Sequence, residues 1–208
     1  MVDPEAPVEI RLGFGPEHRQ AAAGLYWDAF GRKLDHAIGP RDRGIGLIER
    51  GLDPSRAVAA FQEGALVGLA GFNLDGQALT TIRARDIISE FGLFSGLRRT
   101  AWASLLHRPP RPHVLLMDGI VVRADRRGHG IGTKLLCRTF DVALAHGKLV
   151  VRLDVVDTNP AARRLYETLG FREVKTEKVP FLRRVMGFSA ATTMERPVNG
   201  NPPGSLRV

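Results

Sequence analysis

Hydrophobic and polar positions alternate near the start of the chain and then change to helical spacing. Residues 8–14 alternate as a strand does, and residues 16–34 place apolar side chains at helical intervals. A weaker helical pattern follows over 41–51. Residues 57–74 contain two apolar runs joined by Glu63-Gly64, which predicts an antiparallel hairpin.

The second half of the chain alternates strands and helices more clearly. An apolar run over 113–122 predicts a strand, and residues 131–146 predict an amphipathic helix that ends at Gly147. Residues 149–156 are nearly all apolar, as in a strand inside a sheet. Asn159 fits the N-cap of a helix that ends at Gly170. Two late strands follow, FREVK and AATTMERPV.

The segment 76–112 has the least regular pattern. It contains two short helical patterns, 83–91 and 96–107, and then the run HRPPRPH, whose prolines favour an exposed connector. We interpret the chain as a single domain over 1–196, with 76–112 as an insertion and 197–208 as a disordered tail.

Composition agrees with one globular core. Of the 208 residues 44% are hydrophobic and 25% are charged, and no apolar stretch approaches the roughly 18 residues of a membrane span. The N-terminus lacks the pattern of a secretory signal, so we predict a cytoplasmic protein with no membrane partner. Cys137 is the only cysteine, which excludes an intramolecular disulfide, and its apolar neighbours predict that it is buried.

The formal net charge of +8 predicts attraction to anions: phosphorylated cofactors, nucleic acids or acidic surfaces. No basic strand is interleaved with aromatic residues, so nucleic-acid binding lacks support from the sequence. No His, Cys, Asp or Glu cluster has metal-ligand spacing, and we expect no metal.

The run RRGHGIG, residues 126–132, lies between a predicted strand and a predicted helix. Glycines let the backbone approach a bound group, and the free N–H groups of a helix start attract phosphate oxygens. A dinucleotide fingerprint would need glycine at Thr133, and a Walker loop would need Gly-Lys where the chain has Gly132-Thr133. Either this is a pyrophosphate site or it is an ordinary turn with solvated arginines. The candidate contacts are Arg126, Arg127, Gly128, His129, Gly130, Ile131, Gly132 and Thr133, with Lys134 beyond them.

A second motif decides between these alternatives. The spacing Arg-x-x-Gly-x-Gly over 127–132 resembles the acetyl-CoA pyrophosphate loop of the GNAT N-acetyltransferase superfamily. Residues 153–171 resemble the next segment of that family, in register at Asn159, Ala162, Tyr166, Gly170 and Phe171. The resemblance implies an α/β fold with a mixed, mostly antiparallel sheet of six or seven strands flanked by helices. It places acetyl-CoA where the fourth and fifth strands separate.

The resemblance also implies roles for individual residues. A free backbone N–H within Ile120, Val121 and Val122 would polarise the thioester carbonyl. Tyr166 would protonate the leaving sulfur, although a tyrosine between Leu165 and Leu169 is also typical of a plain core residue. Asn159 would contact the pantetheine arm in addition to capping its helix.

The general base is the least determined residue. Strand alternation places Asp118 on the same face as Ile120 and Val122, where it would take a proton from the amine directly or through a water. The alternative is a carboxylate held by hydrogen bonds for structural reasons. Lower candidates are Asp154, Glu90, His36 and His107.

We therefore expect an acetyl-CoA-dependent N-acetyltransferase that acts on a primary amine of a small molecule or peptide by direct transfer. Two alternatives remain, a non-catalytic acyl-CoA sensor and a basic nucleic-acid-binding protein. The insertion could form a substrate lid or serve a structural or dimer-forming role, and a homodimer is possible.

Overall fold

The computed structural model describes residues 6–92, 111–179, 183 and 187–198, without the side chains of 32–37. The strands are β1 (Val8–Leu12), β2 (Ala57–Gln62), β3 (Ala65–Asn73), β4 (Val114–Val122), β5 (Val150–Val156), β6 (Arg172–Lys178) and β7 (Ala190–Pro197). The α-helices are α1 (Arg19–Ile38), α2 (Arg41–Gly51), α3 (Ala84–Phe91), α4 (Ile131–Ala145) and α5 (Pro160–Thr168).

These strands form one mixed sheet in the order β1-β2-β3-β4-β5-β7-β6. Every neighbouring pair is antiparallel except β4 and β5, which run parallel. The predicted fold class, a mostly antiparallel sheet of six or seven strands flanked by helices, is confirmed.

Helices cover the two faces of the sheet with separate hydrophobic clusters. On one face, α4 and α5 bury side chains such as Leu135, Phe140 and Tyr166. On the other face, α1 and α2 bury Trp27 and Ile48. We call these the α4–α5 face and the α1–α2 face.

The parallel pair β4 and β5 stays together over only three residue pairs. The last of these joins Leu116 to Arg152, and beyond it the two strands no longer pair. A cleft therefore opens between residues 117–122 of β4 and residues 153–156 of β5.

β4 also contains a β-bulge beside this cleft. Gly71 of β3 pairs with Gly119 and Phe72 pairs with Met117, so that Asp118 is an extra residue in β4. Met117 before the bulge and Ile120 after it both pack in the α4–α5 cluster. The side-chain alternation of the strand therefore reverses at Asp118 and Gly119.

Most predicted elements appear with small shifts. The weak pattern over 41–51 is helix α2, and the hairpin turns at Glu63-Gly64 as predicted. The predicted helix over 96–107 lies outside the described residues. β7 continues to Pro197, and the N–H of Val198 donates to the Leu149 carbonyl (2.9 Å), so these two residues belong to the sheet and not to a tail. Residues 199–208 also lie outside the described part of the chain.

The prediction of a buried Cys137 is wrong, because the thiol side chain is exposed. Helix α4 turns Leu135, Leu136, Thr139 and Phe140 towards the sheet. A residue at position 137 then falls on the opposite, solvent side of the helix.

Candidate active site

The glycine loop, residues 127–132, connects the end of β4 to the start of α4. Gly128 and Gly130 have left-handed backbone conformations, with φ of 84° and 74°, and Gly130 is the N-cap of α4. A Cβ built on either glycine would meet nothing within 4 Å. The first N–H groups of a helix have no partner within the helix, so this open loop presents donors suited to a phosphate group.

The side chains around the loop differ in their access to solvent. Arg127 and His129 are exposed: Arg127 Nε donates to the Val122 carbonyl (3.1 Å), and His129 Nδ1 lies 2.9 Å from the Arg127 carbonyl oxygen. Arg126, in contrast, is buried, with Nε 3.8 Å from a carboxylate oxygen of Asp125. Arg126 therefore lies in the interior and not on the loop surface, and its contact with a pyrophosphate stays a prediction.

The other loop residues contribute mainly backbone. The side chain of Ile131 is buried in the α4–α5 cluster. Gly132 lies against Leu165 of α5, because a Cβ added there would be 3.2 Å from Leu165 Cδ2. Thr133 is partly buried and Lys134 is exposed.

Strand pairing decides which N–H groups of β4 point into the cleft. The N–H of Arg123 donates to the Val67 carbonyl of β3 (2.9 Å). In an antiparallel pair, hydrogen-bonded and non-hydrogen-bonded positions alternate, so Val121 also pairs with β3. The N–H groups of Ile120 and Val122 then point towards the cleft. Within the stretch 120–122, Val121 is thus the residue whose N–H faces β3 and not the cleft.

Tyr166 lies on α5, on the α4–α5 face of the cleft. Asn159 positions this helix, because its side-chain oxygen accepts a hydrogen bond from the Ala162 N–H (3.1 Å). The tyrosine ring is buried, with its centroid 5.8 Å from that of Phe171. Burial raises the pKa of Tyr166 to about 12, so the phenol keeps its proton at neutral pH.

Asp118 lies on the α1–α2 face. Its Oδ2 accepts a hydrogen bond from the Leu79 N–H (2.9 Å), and Leu79 belongs to the α1–α2 cluster. Burial raises the pKa of the Asp118 carboxyl to about 6, against the smaller, opposite effect of the Leu79 hydrogen bond. The structure corrects the prediction that Asp118 shares a face with Ile120 and Val122, because the bulge reverses the alternation between them.

Two aromatic residues of α1 that the sequence analysis did not single out lie beside Asp118. Burial, and then the charge of Asp118, raise the pKa of Tyr26 to about 12, and the Tyr26 hydroxyl hydrogen-bonds to the side chain of Thr80. The ring of Phe30 occupies the space next to Gly119 where a Cβ would lie. The spacing of four residues between two aromatics was a visible signal for a pair on one helix face, but not for its contact with β4.

The lower candidates for the base are in different places. Glu90 forms an ion pair with Arg50 (2.9 Å) between α2 and α3. The side chain of His36 and all of His107 lie outside the described residues. Asp154 accepts a hydrogen bond from the Thr193 hydroxyl (2.6 Å). It shares its face with Arg152, and therefore lies on the same face of the sheet as Asp118, across the cleft.

The described start of the predicted insertion contacts this site. Leu79 hydrogen-bonds to Asp118, and Thr80 hydrogen-bonds to Tyr26. Phe91 packs elsewhere, against Gly39 at the junction of α1 and α2. Residues 93–110, which include Phe94 and Trp102, lie outside the described part of the chain.

The described residues contain neither a cluster of metal-ligating side chains nor a membrane-spanning helix. No three His, Cys, Asp or Glu side chains among them come together as metal ligands would. None of the helices in the described ranges is long and apolar enough to cross a bilayer.

The site is therefore divided between two faces of the sheet that meet at the cleft. The glycine loop and Tyr166 lie on the α4–α5 face. Asp118 lies on the α1–α2 face, and the N–H of Ile120 points into the cleft between them.

Comparison with known proteins identifies relatives of this arrangement. Residues 19–171 match the family model described as the acetyltransferase (GNAT) family. The thialysine N-epsilon-acetyltransferase of Sus scrofa is 40% identical over 60 residues, which is 29% of this chain and 35% of that protein. The Bos taurus enzyme of the same name is 37% identical over 60 residues, again 29% of this chain and 35% of that protein. The chain thus spans about a third of the length of the curated relatives it matches.

Solved structures agree on the fold. One described as an acetyltransferase has a TM-score of 0.62 at 22% identity, covering 92% of this chain and 100% of that one. The structure of yncA from Salmonella typhimurium, which includes its cofactor acetyl-CoA, has a TM-score of 0.59 at 17% identity, covering 97% and 100%. Since the family model matches well over half of its residues, this chain belongs to the GNAT acetyltransferase family.

Proposed function

We propose that the protein is an acetyl-CoA-dependent N-acetyltransferase that transfers the acetyl group directly to a primary amine of a small molecule or peptide. The single observation behind this proposal is the division of the site. A phosphate-type loop and a protonated phenol lie on one face of the β4–β5 cleft, and a carboxylate with a raised pKa lies on the other.

The residues present fit acetyl-CoA. The open glycines at 128 and 130 leave room for a pyrophosphate against the backbone of the glycine loop, and Arg127 adds positive charge beside it. Asn159 and the N–H groups of Ile120 and Val122 border the cleft that would hold the pantetheine arm. Acetyl-CoA supplies an acetyl group activated as a thioester.

The transfer needs a hydrogen-bond donor, a base and an acid, and one group of this chain is available for each role. The N–H of Ile120 donates to the carbonyl oxygen as negative charge develops there. An acceptor that arrives as an ammonium ion gives its first proton to Asp118, which frees the nitrogen lone pair for attack, and its second proton leaves to solvent as the new N–C bond forms. Tyr166 donates a proton to the sulfur as the C–S bond breaks. Base and acid lie on opposite faces of the sheet, so the amine enters on one side and the thiol leaves on the other.

The relatives suggest a first acceptor. The curated relatives are named for thialysine, and we propose a thialysine-like primary amine as the acceptor class. The acidic residues Asp118 and Asp154 on the α1–α2 face support a substrate that arrives as a cation. A cytoplasmic location and a homodimer stay predictions from the sequence.

The test is an amine panel that includes thialysine, with acetyl-CoA and a colorimetric measure of free thiol release. We expect thiol release that depends on both the amine and the enzyme, and an acetylated amine of the right mass. Tight acetyl-CoA binding by calorimetry with no amine-dependent thiol release would reject the transferase and favour the acyl-CoA sensor.

A further inference from the structure

We propose that the aromatic pair of α1, Tyr26 and Phe30, restricts the acceptor to amines whose nitrogen is attached to an unbranched CH₂ group. This inference rests on the proposed function and adds the shape of the acceptor next to its reacting nitrogen. It assigns Phe30 as the residue that excludes a branch there.

The two rings are fixed against each other and against β4. Their centroids are 4.8 Å apart with an interplanar angle of 52°. A Cβ built on Gly119 would collide with the Phe30 ring, and even the more distant Phe30 Cε1 would be only 3.0 Å from it. The ring of Phe30 therefore lies directly on the bulge, one residue after the proposed base.

The proposed base is held by the same part of the chain that holds this pair. Thr80 hydrogen-bonds to the Tyr26 hydroxyl, and the N–H of Leu79 donates to Asp118 Oδ2. Leu79 is fully buried, and its carbonyl accepts from the Asp53 N–H (2.8 Å). Because the strip 79–80 is fixed at several points, the carboxylate and the two rings keep a constant spacing.

That spacing limits what fits beside the carboxylate. A nitrogen that gives its proton to Asp118 must lie about 3 Å from a carboxylate oxygen. Because Gly119 adjoins Asp118 in β4, we place the carbon attached to that nitrogen next to the Phe30 ring, which fills the place of the Gly119 side chain. Interiors are close-packed, so a CH₂ group fits against the ring face, but a methyl branch on the same carbon meets the ring.

The accessibility of these residues agrees with this placement. Tyr26, Phe30 and Asp118 are each partly exposed, so a ligand can reach the carboxylate beside the two rings. Packing of the surrounding chain raises the pKa of Asp118 and of Tyr26 alike.

The experiment compares thialysine with its analogue that has one methyl group on the carbon bearing the side-chain amine. We expect the unaltered protein to prefer thialysine in kcat/KM by about 10- to 200-fold, the usual discrimination for one methyl group in a fitted pocket. In Phe30→Ala the preference should fall below about 3-fold, mainly because kcat/KM for the branched amine rises.

Leu25→Ala is the matched control, since Leu25 is a partly buried residue of the same helix that packs in the α1–α2 cluster. It loosens α1 to a similar degree and should leave the preference unchanged. Equal loss of preference in Leu25→Ala and Phe30→Ala would assign the effect to helix loosening and overturn the proposal.

The remaining outcomes separate this inference from the proposed function. Turnover of both amines at equal rates by the unaltered protein would overturn the inference and leave the transferase intact. A preference that persists in a folded Phe30→Ala variant would do the same. No turnover of any unbranched amine, with acetyl-CoA bound, would overturn the proposed function and this inference with it.

Discussion

The two faces of the cleft are built in different ways. On the α4–α5 face, the glycine loop, Asn159 and Tyr166 come from one continuous stretch of the chain, and each follows directly from a helix start or a helix turn. On the α1–α2 face, Asp118 and its neighbour Gly119 in β4 meet Leu79 and the α1 residues Tyr26 and Phe30, so three distant segments of the chain come together. The first face depends on local backbone geometry, and the second depends on tertiary packing.

Burial acts on both faces, with opposite chemical results. It raises the pKa of Tyr166 to about 12, which keeps an acid protonated. It raises the pKa of Asp118 to about 6, which leaves a base that is charged at neutral pH but binds a proton readily. Such a difference in role between two buried groups is how one site supplies both an acid and a base.

The largest expected effect concerns the local geometry of the α4–α5 face. Valine at Gly130 would have to adopt a φ of 74° that β-branched residues avoid, so the loop should rearrange and acetyl-CoA affinity should fall by at least about 100-fold. Isothermal titration calorimetry measures this, repeated at high salt to remove non-specific attraction between charges.

Gly64→Val is the matched control for that variant. Gly64 has nearly the same φ, 75°, and equally open surroundings, but it lies in the β2–β3 turn. It should lose similar stability and keep acetyl-CoA affinity. Unchanged affinity in a folded Gly130→Val variant would remove the pyrophosphate from the glycine loop.

The second prediction tests the α1–α2 face. Asp118→Asn keeps the size of the side chain and an acceptor for the Leu79 N–H, but it cannot take a proton. We expect kcat/KM to fall by about 10²–10⁴-fold, while acetyl-CoA affinity stays the same because the other face is untouched. The wild-type rate should rise with pH through about 6, as the carboxyl ionises, and the variant should lose this rise. A variant that keeps both its rate and the rise near pH 6 would show that Asp118 is structural.

The third prediction concerns Tyr166 and is smaller, because a thiolate is already a fair leaving group. Tyr166→Phe keeps the packing of the ring against Phe171 and removes only the proton donor. We expect kcat to fall by about 10²-fold or less with little change in acetyl-CoA affinity or melting temperature. Unchanged kcat with saturating amine, where chemistry limits the rate, would leave Tyr166 as a core residue.

The same contrast explains how much the sequence could predict. The glycine loop, the Asn159 cap and the position of Tyr166 follow from residues close together in the chain, and the strands and helices follow from hydrophobic spacing. The face on which Asp118 lies could not be predicted, because the two-residue alternation of a strand does not reveal that β4 contains one extra residue. The contacts of Phe30 with Gly119 and of Leu79 with Asp118 join segments 39 or more residues apart, and no local pattern records them.

The last and smallest effect is on stability, and it uses the pH dependence of Asp118. A carboxyl whose pKa is higher in the folded state than in the unfolded chain costs stability when it ionises. The stability that the protonated carboxyl contributes is fully present below pH 3.8, its pKa in the unfolded chain, and is lost as the pH rises through about 6. The asparagine of Asp118→Asn does not titrate. The stability of this variant relative to wild type should therefore rise between these pH values and reach a gain of at most about 3 kcal/mol by pH 8.

Urea unfolding at pH 3.5, 5 and 8 measures this difference, and Asp125→Asn provides a control of opposite sign. The hydrogen bond from Arg123 lowers the pKa of the Asp125 carboxyl, so that carboxylate stabilises the fold above its unfolded pKa. Asp125→Asn should therefore lose a little stability as the pH rises, where Asp118→Asn gains it. If the stability difference for Asp118→Asn did not change with pH, burial would not raise the pKa of the Asp118 carboxyl. The α1–α2 face would then lack the base of raised pKa that distinguishes it from the α4–α5 face.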